Sequence, residues 1–217
     1  MPRQQAFDFP QWGGRRAGAG RKPLHPRPGL IRPGVPHLRR PALKARHPAH
    51  VTLRLLAGLP SLRRHAPAAA LKAAFAAAQR PGFRLVHYSI QGNHLHLIVE
   101  ASDGAALSRG MQGLAIRCAR ALNRAARRSG KVFADRYHAH HLATRREVAN
   151  ALRYVLENAR HHGDHTPRDP YTSQRWLWRA PGEDAPVRAP RTWLLRLGWR
   201  PDGRYLRNSV KNGTSIS

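Results

Sequence analysis

A chain of 217 residues is long enough for one domain with arms and too short for two full domains. Its 39 Lys+Arg stand against 11 Asp+Glu, a formal net charge of +28, and a compact fold sustains such a field best beside a polyanion, so nucleic acid is the expected partner. A membrane partner is not expected, because there is no apolar run near 20 residues and no apolar signal segment.

The single cysteine, Cys118, gives neither an intrachain disulfide nor a zinc cluster. The expected setting is therefore cytoplasmic, reducing and nucleoid-associated. No Asp or Glu occurs between Asp8 and Glu100.

Residues 1–47 are rich in Gly, Pro and Arg without apolar periodicity, which predicts a basic arm. Its Arg15, Arg16, Arg21, Lys22, Arg39 and Arg40 are candidate phosphate contacts. From His50 the texture changes. "HVTLRLL" predicts a strand, and "RRHAPAAALKAAFAAAQRPG" an Ala-rich helix closed by Pro81-Gly82. "FRLVHYSIQ" and "HLHLIVEA" predict two strands joined in a tight hairpin at Gly92-Asn93.

Asp103 is placed to cap a long helix whose apolar positions are Leu107, Met111, Leu114, Cys118 and Leu122. Arg117, Arg120, Arg124 and Arg127 form a second stripe on it, either a solvated face or one turned to DNA. "VFADRYHAHHLA" predicts a further strand, and "TRREVANALRYVLENARHHG" a helix opened by Thr144 and ended by Gly163. The order β-α-β-β-α-β-α predicts an α+β fold of the ferredoxin-like, split βαβ kind: a four-stranded antiparallel sheet with helices on one face, plus an added C-terminal helix. The domain reading is an arm at 1–47, a main domain at 48–163 and a Trp- and Arg-containing extension at 164–217. In the extension, Trp176, Trp178, Trp193 and Trp199 either anchor the tail or stack on bases.

Side chains alternate along a strand, so His94 and His96 share one face while Leu95, Leu97 and Val99 share the other. With the leucines on the helices, both imidazoles fall on the open face, where two rings can converge on one ion. In the last helix Val148, Leu152, Val155, Leu156 and Ala159 define the buried stripe, and Tyr154 and Asn158 are expected opposite it with His161 along the same line. A Tyr, Asn and His face over a sheet presenting two histidines makes a coherent site. A phenol used there as a nucleophile needs a metal or nearby cations to activate it.

"GNHLHLIVEA", with "ALRYVLENARHHG" downstream, resembles the HUH single-tyrosine transposases, in particular their REP-associated, IS200-like branch. The family's His-hydrophobic-His strand motif is matched by His94, Leu95 and His96, and its tyrosine with asparagine four residues on by Tyr154 and Asn158. Ala159 stands where the family usually has proline, and "VFADRYHAHHL" is similar to the family's strand before the late helix. The resemblance spans about residues 48–163.

It implies that the added helix is catalytic, that His94, His96 and Asn158 ligate Mg²⁺ or Mn²⁺, and that Tyr154 attacks single-stranded DNA. The product would be a 5′-phosphotyrosine and a free 3′-OH, rejoined without ATP, at hairpin-forming or repeat DNA. Two imidazoles suit manganese at least as well as magnesium.

Two other readings compete. One is a hairpin-binding protein of the same fold that does not cut. An RNA-recognition sheet, however, would carry exposed aromatics where these histidines stand. The other is a two-motif RNA phosphoesterase, for which His50–Thr52 supplies one His-x-Thr but no second copy exists. The sequence favours neither monomer nor homodimer.

Overall fold

The computed structural model describes residues 42–161 and 169–200, the side chains of residues 158–161 excepted. Four strands, β1 (Ala49–Arg54), β2 (Phe83–Ile90), β3 (His94–Ala101) and β4 (His138–His141), alternate with helices α1 (His65–Ala77), α2 (Gly104–Ala125) and α3 (Arg145–His161). The strands form one antiparallel sheet in the order β2-β3-β1-β4. This is the split βαβ arrangement expected from the sequence, with α3 added.

β3 sits in the interior of the sheet and is buried on both faces. Leu95, Leu97 and Val99 join Val51, Leu53, Leu71, Phe75, Met111, Leu114 and Cys118 in the main core, which α1 and α2 close. On the other face Ile98 joins Val86, Val148, Leu152, Val155 and Leu156, so α3 closes that side. The histidine face is therefore not open. It is roofed by α3.

Local chemistry sets the boundaries. Asp103 caps α2, its Oδ1 accepting from the Ala106 amide at 2.7 Å. Thr144 and Glu147 form a reciprocal box at the start of α3. The Glu147 amide donates to Thr144 Oγ1 at 3.1 Å, and Glu147 Oε2 accepts from the Thr144 amide at 2.8 Å. Gly163, the expected end of α3, lies outside the described residues.

The hairpin between β2 and β3 closes through the Gln91 amide donating to His94 O at 2.9 Å. Its tip is held from outside, because Gly92 O and Asn93 O accept from the Leu62 and Leu55 amides.

Two departures from simple alternation have physical causes. The register of β2 on β3 shifts between Leu85 and His87, so Val86 packs under α3 while Leu85 and Tyr88 both face the main core. The strand expected across "VFADRYHAHHLA" is reduced to His138–His141 plus one bridge at Phe133. Between them Asp135 Oδ1 accepts from the Arg136 amide at 2.7 Å, a local bond that competes with the ladder.

After the undescribed residues 162–168 the chain returns along the free edge of β2. The Ile90 amide donates to Tyr171 O, and the Ser173 amide to Tyr88 O. Arg63 clamps the turn through a paired contact with the Asp169 carboxylate at 2.9 and 3.2 Å. Further on, the Glu100 carboxylate accepts from the Arg191 and Thr192 amides and the Thr192 hydroxyl, at 2.7–3.1 Å. Leu194, Leu195 and Trp199 then complete the cluster under α3.

Gly110 is buried in α2 where a β-carbon would overlap the Phe83 ring. Replacing glycine by alanine inside a helix ordinarily stabilises by about 1 kcal/mol. Here Gly110→Ala should instead destabilise by about 1–3 kcal/mol through overpacking, read as a lower denaturant midpoint at unchanged slope.

Candidate functional site

The site is built by the face of the sheet that α3 covers. Period-two alternation brings His94 and His96 of β3, His50 and Thr52 of β1, and His138 and His140 of β4 to that face. The register sets Thr52 opposite His96, Arg54 opposite His94 and His140 opposite His50.

His94 Nε2 and His96 Nε2 lie 2.9 Å apart, with the two rings nearly perpendicular at 88°. Each ring's other nitrogen is held from behind. His94 Nδ1 is 2.7 Å from Asn93 Oδ1, an acceptor, and therefore carries the proton. His96 Nδ1 is 3.2 Å from His50 Nε2 and 3.3 Å from Thr52 Oγ1. In the tautomer of His96 whose Nδ1 donates to His50 or Thr52, the two Nε2 lone pairs face one another.

Such an arrangement suits a cation. Ligands about 2.1 Å from a metal and at right angles are about 3 Å apart. Burial, with His50, His94 and Arg54 close by, holds His96 far below the usual imidazole range. Burial and the neighbouring His140 and His138 hold His50 down at about 4. Both stay neutral at pH 7, which is the metal-ligating form. Among the described residues, no cluster of three or more His, Cys, Asp or Glu is arranged to hold an ion. The imidazole pair would need a further ligand from the helix, the substrate or water.

α3 brings Tyr154 onto this pair. The tyrosine ring stands edge-on to His96 at 4.9 Å between centroids and edge-on to His50 at 5.9 Å. Tyr154 is half-buried and packs at the margin of the α3 cluster, next to Ala151, rather than opposite the buried stripe as the wheel suggested. The side chains of Asn158 and His161 lie outside the described residues, although both positions belong to α3.

The arm residues Arg15, Arg16, Arg21, Lys22, Arg39 and Arg40 also fall outside the described residues. Arg117, Arg120 and Arg124 are exposed on α2, across the sheet from His94, His96 and Tyr154. Arg127 lies just past the helix, with a positive φ of 48°. The four tryptophans divide. Trp176 packs against Tyr88 and Trp199 is buried, whereas Trp178 and Trp193 are 53% and 58% exposed.

Sequence reading missed His50, Thr52 and Asn93 as parts of the site. The signal for the first two was present in the single His-x-Thr of β1, whose alternation places both on the His96 face. Asn93 read as a turn residue and is one, yet its side chain also fixes His94.

A family described as "Transposase IS200 like" matches residues 62–158. That interval holds His94, His96, Tyr154 and Asn158 and begins after β1. Among solved structures, a REP-associated tyrosine transposase bound to a REP hairpin superposes with a TM-score of 0.55 at 16% identity, over 73% of this chain and 93% of that one. The two share a fold. No curated protein sequence matches the chain significantly, and no helix among the described residues is long and apolar enough to cross a membrane.

The buried imidazoles link stability to pH. His87 is held at about 4 by burial, and its Nδ1 lies 3.1 Å from the Ser173 hydroxyl. His50, His87 and His96 each take up a proton more readily in the unfolded chain, where imidazole titrates near 6.5. The stability they lend is complete above that pH and drains away as pH falls towards 4. The unfolding free energy should drop by about 1.4 kcal/mol per pH unit for each of the three, measured by urea denaturation between pH 7 and 4.5. His87→Asn should remove one proton from that slope.

Proposed function

We propose, for a chain whose residues 62–158 match the IS200-like transposase family, that it binds hairpin-forming DNA and cuts and rejoins single strands through a covalent bond to Tyr154. The observation that carries this reading is the convergence of His94 and His96, with Nε2 atoms 2.9 Å apart, beside the Tyr154 ring at 4.9 Å from His96. The fold shared with a hairpin-bound transposase and the charge of +28 support DNA as the partner.

His94 and His96 would hold a Mg²⁺ or Mn²⁺ ion, with Asn158, one turn after Tyr154 in the sequence of α3, as the third ligand. The chemistry such an ion supplies when bound is polarisation of a phosphate oxygen. The chain's own groups do the positioning. Asn93 fixes the tautomer of His94, while His50 and Thr52 hold the His96 ring through its Nδ1. α3 packs the tyrosine against them.

The Tyr154 oxygen attacks phosphorus, and its phenolic proton passes in the net balance to the departing 3′ oxygen. The bond from phosphorus to the 3′ oxygen breaks, leaving a 5′-phosphotyrosine and a 3′-OH. Attack by a 3′-OH on that linkage reverses the step and frees the tyrosine. The bond energy is conserved, so no nucleotide cofactor is required.

We read residues 48–163 as the transposase domain, 1–47 as a basic arm that adds phosphate contacts, and 164–217 as an extension, whose described residues 169–200 run along β2 and under α3.

Incubation of labelled single-stranded hairpin DNA with Mn²⁺ and the protein should give a covalent adduct on a denaturing gel. Tyr154→Phe should abolish the adduct and leave hairpin binding nearly intact. An adduct that survives in that variant would move the nucleophile elsewhere, for instance to Tyr137. Hairpin binding by the wild type with no adduct under any metal would identify a binder that does not cut.

His94→Ala, His96→Ala or a chelator should each remove cleavage, and full activity in chelator would refute the metal assignment. Thr52→Val and His50→Gln should weaken Mn²⁺ affinity by about 10- to 100-fold, as loss of a partner behind a ligating histidine does, read directly by calorimetry.

A further inference from the structure

Two exposed tryptophans on the α3 side of the sheet have no place in the site just described. Trp193 and Trp178 are 58% and 53% exposed. Each has a guanidinium over its ring, Arg145 at 6.0 Å from the Trp193 centroid and Arg200 at 5.4 Å from that of Trp178.

The two rings belong to one surface. Trp193 lies against Gly198, where any β-carbon would collide with the indole. Gly198 O accepts from Arg145 Nε at 2.6 Å, and Arg200 O from Arg145 Nη2 at 3.5 Å. Arg200 in turn reaches the Trp178 and Trp199 rings, which are 5.9 Å apart. Leu194, Leu195 and Trp199 pack this segment into the cluster beneath α3.

We propose that Trp178, Trp193, Arg145 and Arg200 form a stacking platform for the single-stranded DNA flanking the hairpin. The proposal rests on the transposase reading and adds to it the contact surface for the flank.

Charge argues for DNA over an apolar protein partner. Between Pro186 and Arg200 the chain has no Asp or Glu, and Arg196 adds a further exposed cation. An indole with an arginine beside it stacks on a base of any sequence, while the guanidinium meets phosphate.

Position argues the same way. Arg145 and Tyr154 sit on one helix nine residues apart, about 14 Å along its axis, or about four stacked nucleotides. The arginines of α2 are across the sheet and cannot serve a strand lying in the Tyr154 site. This surface can.

The test uses the full-length protein in chelator, which prevents cleavage, and fluorescence anisotropy of two labelled DNAs. One is a blunt hairpin and the other carries a four-nucleotide extension at either end. The wild type should bind the extended hairpin more tightly. Trp178→Ala and Trp193→Ala should each weaken that binding about tenfold and leave the blunt hairpin unaffected. Trp→Phe at either position should keep most of the affinity, and Trp178→Gln and Trp193→Gln, which keep bulk but cannot stack, carry the test if an alanine variant fails to fold.

Equal binding of the two DNAs by the wild type, or equal weakening of both by the variants, would overturn the platform while leaving the transposase reading standing. Failure to bind either hairpin would defeat both.

Discussion

β3 is buried on both of its faces, and much of the molecule follows from that constraint. One face is apolar and needs only volume, which α1 and α2 supply. The other carries His94, His96 and Glu100 among apolar neighbours, and buried polar groups cost several kcal/mol unless each finds a partner. The partners come from three different parts of the chain. β1 brings His50 and Thr52 to His96, the hairpin tip brings Asn93 to His94, and the C-terminal segment brings two amides and a hydroxyl to Glu100. No described buried side-chain nitrogen or oxygen is left unpaired.

Satisfying those groups also prepares the site. Asn93, accepting from His94 Nδ1, leaves that ring's lone pair on Nε2, and the contacts behind His96 turn its Nε2 to the same point. The geometry is held by strands, which are stiffer than loops and keep the nitrogens in register. Tyr154 comes from a separate element. Its position depends on how Val148, Leu152 and Val155 seat α3 on the sheet, so a cavity in that cluster would displace the tyrosine without touching the histidines.

The fold was legible in the sequence because its signals are local. Period-two alternation in β3, the cap at Asp103, the helix start at Thr144 and the apolar stripe of α2 each announce themselves within a few residues. His94 and His96 were legible for the same reason, since two positions on one strand share a face whatever surrounds them. His50 and Thr52 were not. Their role depends on which strand lies beside β3, and pairing across 44 or 46 residues is a property of topology, not of local pattern.

The bulge in β2 and the shortening of β4 were hidden for a related reason. Both adjust local backbone to a neighbour that the sequence does not name. Tyr154 was misplaced on the wheel, because a half-buried ring at the margin of a stripe satisfies neither the core nor the solvent pattern.

The C-terminal segment shows how a sheet edge is managed in a small basic domain. β2 is an edge strand rich in apolar residues, a hazard for pairing with other chains. Residues 171–173 cover part of it with backbone hydrogen bonds, and the Ser173 hydroxyl reaches in to His87 while accepting from the Tyr88 amide at 2.9 Å. The same stretch then crosses to Glu100 and ends beneath α3. One segment therefore closes the edge, satisfies a buried carboxylate and braces the helix that carries the tyrosine. A substitution that loosened it, such as loss of the Arg63–Asp169 clamp, would be felt at the site through α3 even though no residue of the site had changed.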